Sequence, residues 1–296
     1  MKRVLAIDVG GTKLATAIVA ADGMVSVERR GPTPRTKDPE ALLASLVAIA
    51  KASLDEDGGS IDCVGVGCGG PMRWPEGIVS PLHIAAWREF PLRARLTAAF
   101  GVPCAIDNDA KAFALGEHWL GAGRGARALL GVVVSTGVGA GIVIDGQLVH
   151  GASGQAGHVG HVIADPDGPA CDCGARGCVE AIASGDALAR RGDAAAEAIA
   201  ERARKGDADA ERLYLEAGRA LARGIASAAT LLDLDRVVIG GGVALGAWDL
   251  LEVPLLAELA VRTQLSFTRA LSVLRSTLGH RAGLLGAARL AFDAAL

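Results

Sequence analysis

Apolar positions fall in short blocks along the first half of the chain and in longer, helically spaced sets toward its end. Residues 3–9, RVLAIDV, form a block too short for a helix and rich in Val, Leu and Ile, which predicts a buried strand. Gly10, Gly11 and Thr12 make a turn, residues 14–20 return as a second strand, and Asp22-Gly23 ends it with a hairpin signal. The same phrase is written again later. Residues 129–135, LLGVVVS, predict a strand, Thr136, Gly137, Val138, Gly139, Ala140 and Gly141 a glycine turn, residues 142–144 the return, and Asp145-Gly146 another hairpin. The turn lengths differ, so the repeat is one of architecture rather than of sequence, and it predicts duplicated α/β lobes.

Between the hairpins, Asp38 and Pro39 open a helix in which Leu42, Leu43, Leu46, Val47 and Leu54 make one apolar stripe. Residues 61–67 predict a strand running into Cys68-Gly69-Gly70-Pro71, a non-helical loop. Residues 102–106 predict a short strand that delivers Asp107, Asn108 and Asp109 at its carboxyl end, with a helix over 110–120. Further on, Ser184 caps a helix beginning at Gly185, residues 207–232 form a long helix, residues 236–239 a strand entering Gly240, Gly241 and Gly242, and residues 282–295 a terminal amphipathic helix.

Composition adds limits to this picture. The 296 residues exceed the length at which one core usually keeps growing, and 51% are hydrophobic, so two lobes are expected. A net charge of −3 offers no footprint for nucleic acid or an anionic membrane. The opening apolar run stops at Asp8, too soon for a secretory signal, and no run approaches a membrane span, so a soluble cytoplasmic protein is expected. The six cysteines do not form a secreted disulfide pattern.

Three of those cysteines, Cys171, Cys173 and Cys178, crowd into the stretch GASGQAGHVGHVIADPDGPACDCGARGCVE, which also holds His158 and His161. Three thiols and the His161 imidazole make a closed tetrahedral set of the kind zinc takes, which predicts a structural ion; the bland alternative is a loop of unrelated free thiols. His158 and Glu180 flank the ligands and are either aimed at a small polar ligand or simply on the surface. In the first hairpin, the backbone N–H groups of Gly10 and Gly11 together with Thr12 and Lys13 suit a phosphate, and Asp8 suits a hydrated Mg²⁺; an ordinary tight hairpin is the alternative. The second glycine turn suits phosphate in the same way, which suggests a nucleotide held between the lobes, with Gly241 close to an adenine ring. Asp107, Asn108 and Asp109 lie where open α/β sheets bind ligands, although helix capping explains one of them.

With these residues in view, the chain resembles the ROK family of sugar kinases and repressors over nearly its whole length. The motifs are DVGGTK at 8–13, DNDA at 107–110, STGVGAGI at 135–142, GQAGHVGH at 154–161, CDCGARGCVEAIASG at 171–185 and GGGV at 240–243. The resemblance implies an actin-like, hexokinase-type two-lobed fold of duplicated ribonuclease H-like domains with a structural zinc loop. It places a small lobe at 1–117, a large lobe at 118–281 containing the sugar loop 151–180, and the terminal helix, about 282–296, back on the first lobe. It implies that Asp109 is the catalytic base, that Gly70, Asn108, His158, His161 and Glu180 meet a sugar, and that ATP with Mg²⁺ binds at the two glycine turns; homodimers are frequent in the family.

His158 stands where the family usually has Glu, and His83 where it has Asn. Imidazole donates as well as accepts, so the first change alters which groups at C1 and C2 of a sugar fit. The local text looks most like the family's bacterial N-acetylmannosamine kinases, which implies phosphoryl transfer from ATP to the sugar's 6-hydroxyl in sialic acid and amino sugar catabolism. Glucokinase or N-acetylglucosamine kinase activity is the near alternative. A sugar-responsive repressor would carry a DNA-binding segment ahead of the first hairpin, for which Asp8 leaves no room, and a silent sugar sensor would bind without consuming ATP.

Overall fold

A computed structural model describes residues 2–294. The chain divides into two compact units, one of residues 1–124, 150–156 and 280–296 and one of residues 125–149 and 157–279.

In the first unit, β1 (Arg3–Val9), β2 (Lys13–Ala20) and β3 (Val25–Pro32) form an antiparallel ladder, with Gly23 at φ +88° in the β2–β3 turn. The third strand was not expected, since Glu28, Arg29 and Arg30 give its sequence a solvated character; it sits at the sheet edge. Helix α1 (Pro39–Asp57) is capped by Asp38, whose carboxylate accepts from the Glu40 N–H, and it buries Leu42, Leu43 and Leu46. Strand β4 (Cys63–Cys68) pairs parallel with β1, and a two-stranded ribbon of β5 (Met72–Arg73) and β6 (Ile78–Val79) follows. Helix α2 (Leu92–Phe100) leads to β7 (Cys104–Asn108) and α3 (Asp109–Leu120). The sheet order is β3-β2-β1-β4-β7. Strand β7 lies two residues later than the apolar run suggests because its ladder with β4 pairs Val64 with Cys104 and Cys68 with Asn108, which carries two polar residues into the strand.

The second unit repeats the plan. Strands β8 (Ala128–Val134), β9 (Val138–Ile144) and β10 (Gln147–Leu148) are antiparallel, joined between β9 and β10 by Asp145 and Gly146, both at positive φ. After the cysteine-rich loop come α4 (Val179–Ala183), α5 (Gly185–Gly192, capped by Ser184), α6 (Ala196–Arg204) and α7 (Ala208–Leu232, capped by Asp207). Strand β11 (Arg236–Gly240), helices α8 (Gly242–Gly246) and α9 (Trp248–Arg262), and strand β12 (Ser272–Arg275) complete it. Its order, β10-β9-β8-β11-β12, and its strand senses match those of the first sheet. The expected six-residue glycine turn is corrected: Ser135 N–H donates to the Gly137 carbonyl in a tight turn, and Val138, Gly139, Ala140 and Gly141 already belong to β9.

Helix α10 (Ala282–Ala294) rejoins the first unit and packs on α3, β4 and β1. Residues 295 and 296, also expected in this helix, lie outside the described residues. The approach is close enough that a Cβ at Gly65, Gly116 or Gly286 would meet the backbone of the facing element at Ala287, Ala282 or Ala112 respectively. No helix among the described residues is long and apolar enough to cross a membrane.

Candidate active site and metal centre

Three parallel strands of the first unit end side by side, and their carboxyl ends gather the acids. Asp8 leaves β1, residues 67–70 leave β4, and Asn108 and Asp109 join β7 to α3. A Cβ at Gly69 would lie 3.8 Å from Asp109 Oδ2, one at Gly70 3.5 Å from Asn108 Nδ2, and one at Gly67 3.8 Å from Asp8 Oδ1. These distances put the β4 loop in ordinary contact range of both carboxylates and the amide.

The acids at 107–109 divide their work. Asn108 is the cap, its Oδ1 accepting from the Ala110 N–H at 3.0 Å; Asp109 Oδ1 accepts from the same N–H at 2.9 Å. Asp107 turns inward, accepts from the Asn108 N–H at 2.7 Å and is 2% exposed. Asp109 and Asp8 repel electrostatically, and burial together with that charge pushes the Asp8 carboxyl up to about 7. Helix α10 begins at this point, with Gly283 so placed that a Cβ would lie 3.1 Å from Asp8 Oδ2. Sequence reasoning missed this neighbour because Asp8 and Gly283 are brought together only by the return of the chain's end.

The turn after Asp8 is tight, with Gly10 N–H donating to the Lys13 carbonyl at 3.0 Å. Gly11, Thr12 and Lys13 are exposed. Thr33, just beyond β3, braces the turn: its hydroxyl donates to the Gly10 carbonyl at 2.7 Å and its N–H to the Thr12 carbonyl at 3.0 Å. His83 lies over the same turn, 2.6 Å from where a Gly11 Cβ would stand. This position explains why residue 11 is glycine and makes His83 a neighbour of the phosphate-compatible turn.

In the second unit the β8–β9 turn is locked from two sides. Glu180 Oε2 accepts from the Val138 N–H at 2.8 Å, and Gly185 N–H donates to the Ser135 carbonyl at 2.8 Å while Asp186 N–H donates to that of Thr136 at 3.2 Å. Gly241, at φ +94°, lies against the Val134 carbonyl, so close approach of β11 and β8 itself requires glycine there. Gly241 thus sits against the end of β8 that leads into Thr136 and Gly137, whereas Gly139, Ala140 and Gly141 run along β9 beneath the 157–160 loop.

His161, Cys171, Cys173 and Cys178 converge so that their ligand atoms all lie within 4.8 Å of one another. The Cys173 and Cys178 sulfurs are 3.7 Å apart, and His161 Nδ1 is 3.8 Å from the Cys171 sulfur. A tetrahedron with Zn–S bonds near 2.3 Å has edges of about 3.8 Å, so the donor set fits the ion that its chemistry suggests. Burial raises the Cys171 thiol and pushes Cys178 up to about 12, while the Ala175 backbone lowers exposed Cys173. Metal binding requires all three as thiolates, and burial of Cys171 and Cys178 works against that until the ion arrives. The other edge of His161, Nε2, faces Glu180 Oε1 at 4.0 Å, and His158 stacks beside His161 with centroids 6.2 Å apart. Glu180 consequently touches the glycine turn with one oxygen and the ligand histidine with the other.

The family model for the ROK family matches residues 4–294. N-acetylmannosamine kinase of Escherichia fergusonii is 40% identical, the match covering 97% of each chain. Among solved structures, the ROK hexokinase from Thermus thermophilus superposes with a TM-score of 0.89 at 36% identity, covering 99% of both chains. A ROK family glucokinase from Streptomyces griseus, in complex with glucose and AMPPNP, superposes with a TM-score of 0.82 at 30% identity, covering 98% of this chain and 99% of the other.

Proposed function

We infer, from the premise that this chain belongs to the ROK family and is a sugar kinase, that it transfers the γ-phosphoryl group of ATP to the 6-hydroxyl of N-acetyl-D-mannosamine, a step of sialic acid and amino sugar catabolism. The observation that carries the choice of sugar is the near full-length likeness, at 40% identity, to N-acetylmannosamine kinases, against 36% for the hexokinase and 30% for the glucokinase.

In this reading Asp109 accepts the proton of the attacking hydroxyl, and positioning with charge neutralisation supplies most of the acceleration. Asn108, Gly70, His158, His161 and Glu180 are the residues that orient the sugar. The His158 imidazole offers the N-acetyl carbonyl a donor that a glutamate would not. Lys13 and the exposed Gly11 and Thr12 hold phosphate oxygens, the Gly10 N–H being taken by the Lys13 carbonyl; Thr136 and Gly137 do the same with the β9 backbone behind them, and Gly241 borders the adenine. Asp8 would hold a hydrated Mg²⁺, which supplies charge neutralisation to the phosphates. The four thiol and imidazole ligands would hold zinc, which supplies shape to the loop and no chemistry. Six unpaired thiols fit a reducing cytoplasm, and a homodimer is the expected assembly.

A hexokinase-like preference for glucose or N-acetylglucosamine is the second reading, favoured by the TM-score of 0.89. Measuring kcat/KM for the three sugars in an ATP-coupled assay separates them: N-acetylmannosamine should lead, and a higher value for glucose would transfer the assignment.

A further inference from the structure

A buried charged group in the first unit has none of the roles above. The Lys111 side chain is 1% exposed; its ammonium lies 3.3 Å from Asp107 Oδ1 and donates to the Gly154 carbonyl at 2.7 Å. Asp107 Oδ2 in turn lies 3.0 Å from His150 Nδ1. The far face of the His150 ring stacks on Trp74, centroids 4.2 Å apart and 18° from parallel, and Trp74 also abuts Gly154. Gln155 Nε2 ties the same segment to the Met72 carbonyl at 2.7 Å.

Stability alone does not account for a lysine and an aspartate at these depths. Removing two charges from water costs several kcal/mol each, and well-packed apolar residues of similar size generally do as well or better. The pair does something that apolar residues cannot. Asp107 Oδ1 pairs with the Lys111 ammonium and accepts from the Asn108 N–H, so one carboxylate fixes the peptide joining residues 107 and 108, one peptide ahead of Asp109, and the lysine ties that carboxylate to the backbone of residues 150–156.

We propose that Lys111, Asp107 and His150 are positioning residues, a buried cation–carboxylate pair with a half-buried imidazole beside it, which sets the backbone at 107–109 and through it the orientation of Asp109. The claim rests on the reading of Asp109 as the base. The charged groups facing His150 are Asp107 from β7 and Lys111 from α3, with Trp74 on the other side. Burial, the largest influence, holds the imidazole below its ordinary value; Asp107 draws it up and Lys111 presses it down. Lowered in this way, the ring is neutral at neutral pH and lies beside the carboxylate, its Nδ1 3.0 Å from Asp107 Oδ2, without adding a third charge.

The test compares Lys111→Met, Asp107→Leu and the double variant with the parent chain. Each single change leaves a buried charge alone and should lower Tm, and the double change, which removes both, should restore it. In the double variant kcat should remain about tenfold or more below the parent with KM for ATP unchanged, because the base is no longer held in line. Recovery of kcat together with Tm would reduce the three residues to a stability feature and overturn the proposal. A second readout does not depend on turnover. In Lys111→Met, the His150 Cε1–H resonance, assigned with His150→Gln, should titrate at higher pH than in the parent, since Asp107 then remains its only charged neighbour. An unmoved midpoint would show that the three groups are not coupled and would also overturn the proposal. Should the parent phosphorylate no hexosamine, the functional reading fails by itself, and the resonance still decides whether the three groups are coupled.

Discussion

Asp8 and Asp109 set two carboxyl groups at neighbouring strand ends, and that arrangement has consequences at the scale of single residues. The Asp8 carboxyl, ordinarily near 3.8, is raised to about 7, so the folded metal-free chain retains a proton that the unfolded chain releases. Its contribution to stability is present below about pH 4 and is lost as pH rises through 7. Asp8→Asn should therefore stabilise the metal-free protein at pH 8 by on the order of a few kcal/mol, seen as a higher Tm, and leave Tm unchanged near pH 4. Thermal scans at the two pH values check this, and equal Tm shifts at both would contradict it. Asp109→Asn should lower kcat about a thousandfold, within the usual range for losing a positioned base, while sugar binding measured by calorimetry stays near the parent value. A variant with near-normal kcat would remove Asp109 from the role. The sequence shows that 107–109 is acidic and lies at a strand end. It does not show which residue caps, which is buried and which faces the loop, because those outcomes depend on the register of β7 against β4 and on Lys111.

At the scale of elements, the cysteine-rich loop and α10 are held by different means. The loop between β10 and α4 has little apolar core of its own, with Cys171 and Cys178 themselves among its buried residues, so its shape depends on the ligands meeting. Chelation of the metal-loaded protein should weaken sugar affinity by about tenfold or more while altering ATP affinity less, since Glu180 and His158 are placed by that loop. Unchanged affinity in a sample shown to be metal-free would remove the loop from sugar binding. Helix α10, in contrast, is held by backbone approach across glycines. Gly286→Val should destabilise the chain by about 2–3 kcal/mol, readable in urea denaturation, because the added side chain starts where the Ala112 carbonyl already lies. The ligand spacing of the loop was legible from residue types, and so were the caps Asp38 and Ser184. The glycines at 65, 116 and 286 were not, since each is explained by an element distant in sequence.

At the scale of the molecule, one sheet plan is used twice and the chain's end is spent on the first copy. The large apolar cluster of the second unit contains no residue from α10, whereas α10 lies on β1, β4 and α3 of the first. A chain truncated after Arg281 should keep slow amide exchange in β8 and β11 and lose it in β1 and β4; uniform protection across both sheets would sink this view of α10. The sequence by itself determined the duplicated strand–turn–strand phrases, the set of three thiols and one imidazole, the family and the kind of chemistry, because glycine turns, clustered thiols and acids at strand ends carry their physical meaning in residue type and spacing. Only the tertiary structure decided that the second glycine run is mostly strand, that Gly283 reaches Asp8, that residues 150–156 serve the first unit, and that Lys111 and His150 close around Asp107. Each of these depends on contacts between segments far apart in the chain, and hydrophobic patterning, which reports only which face of an element is buried, does not say against what.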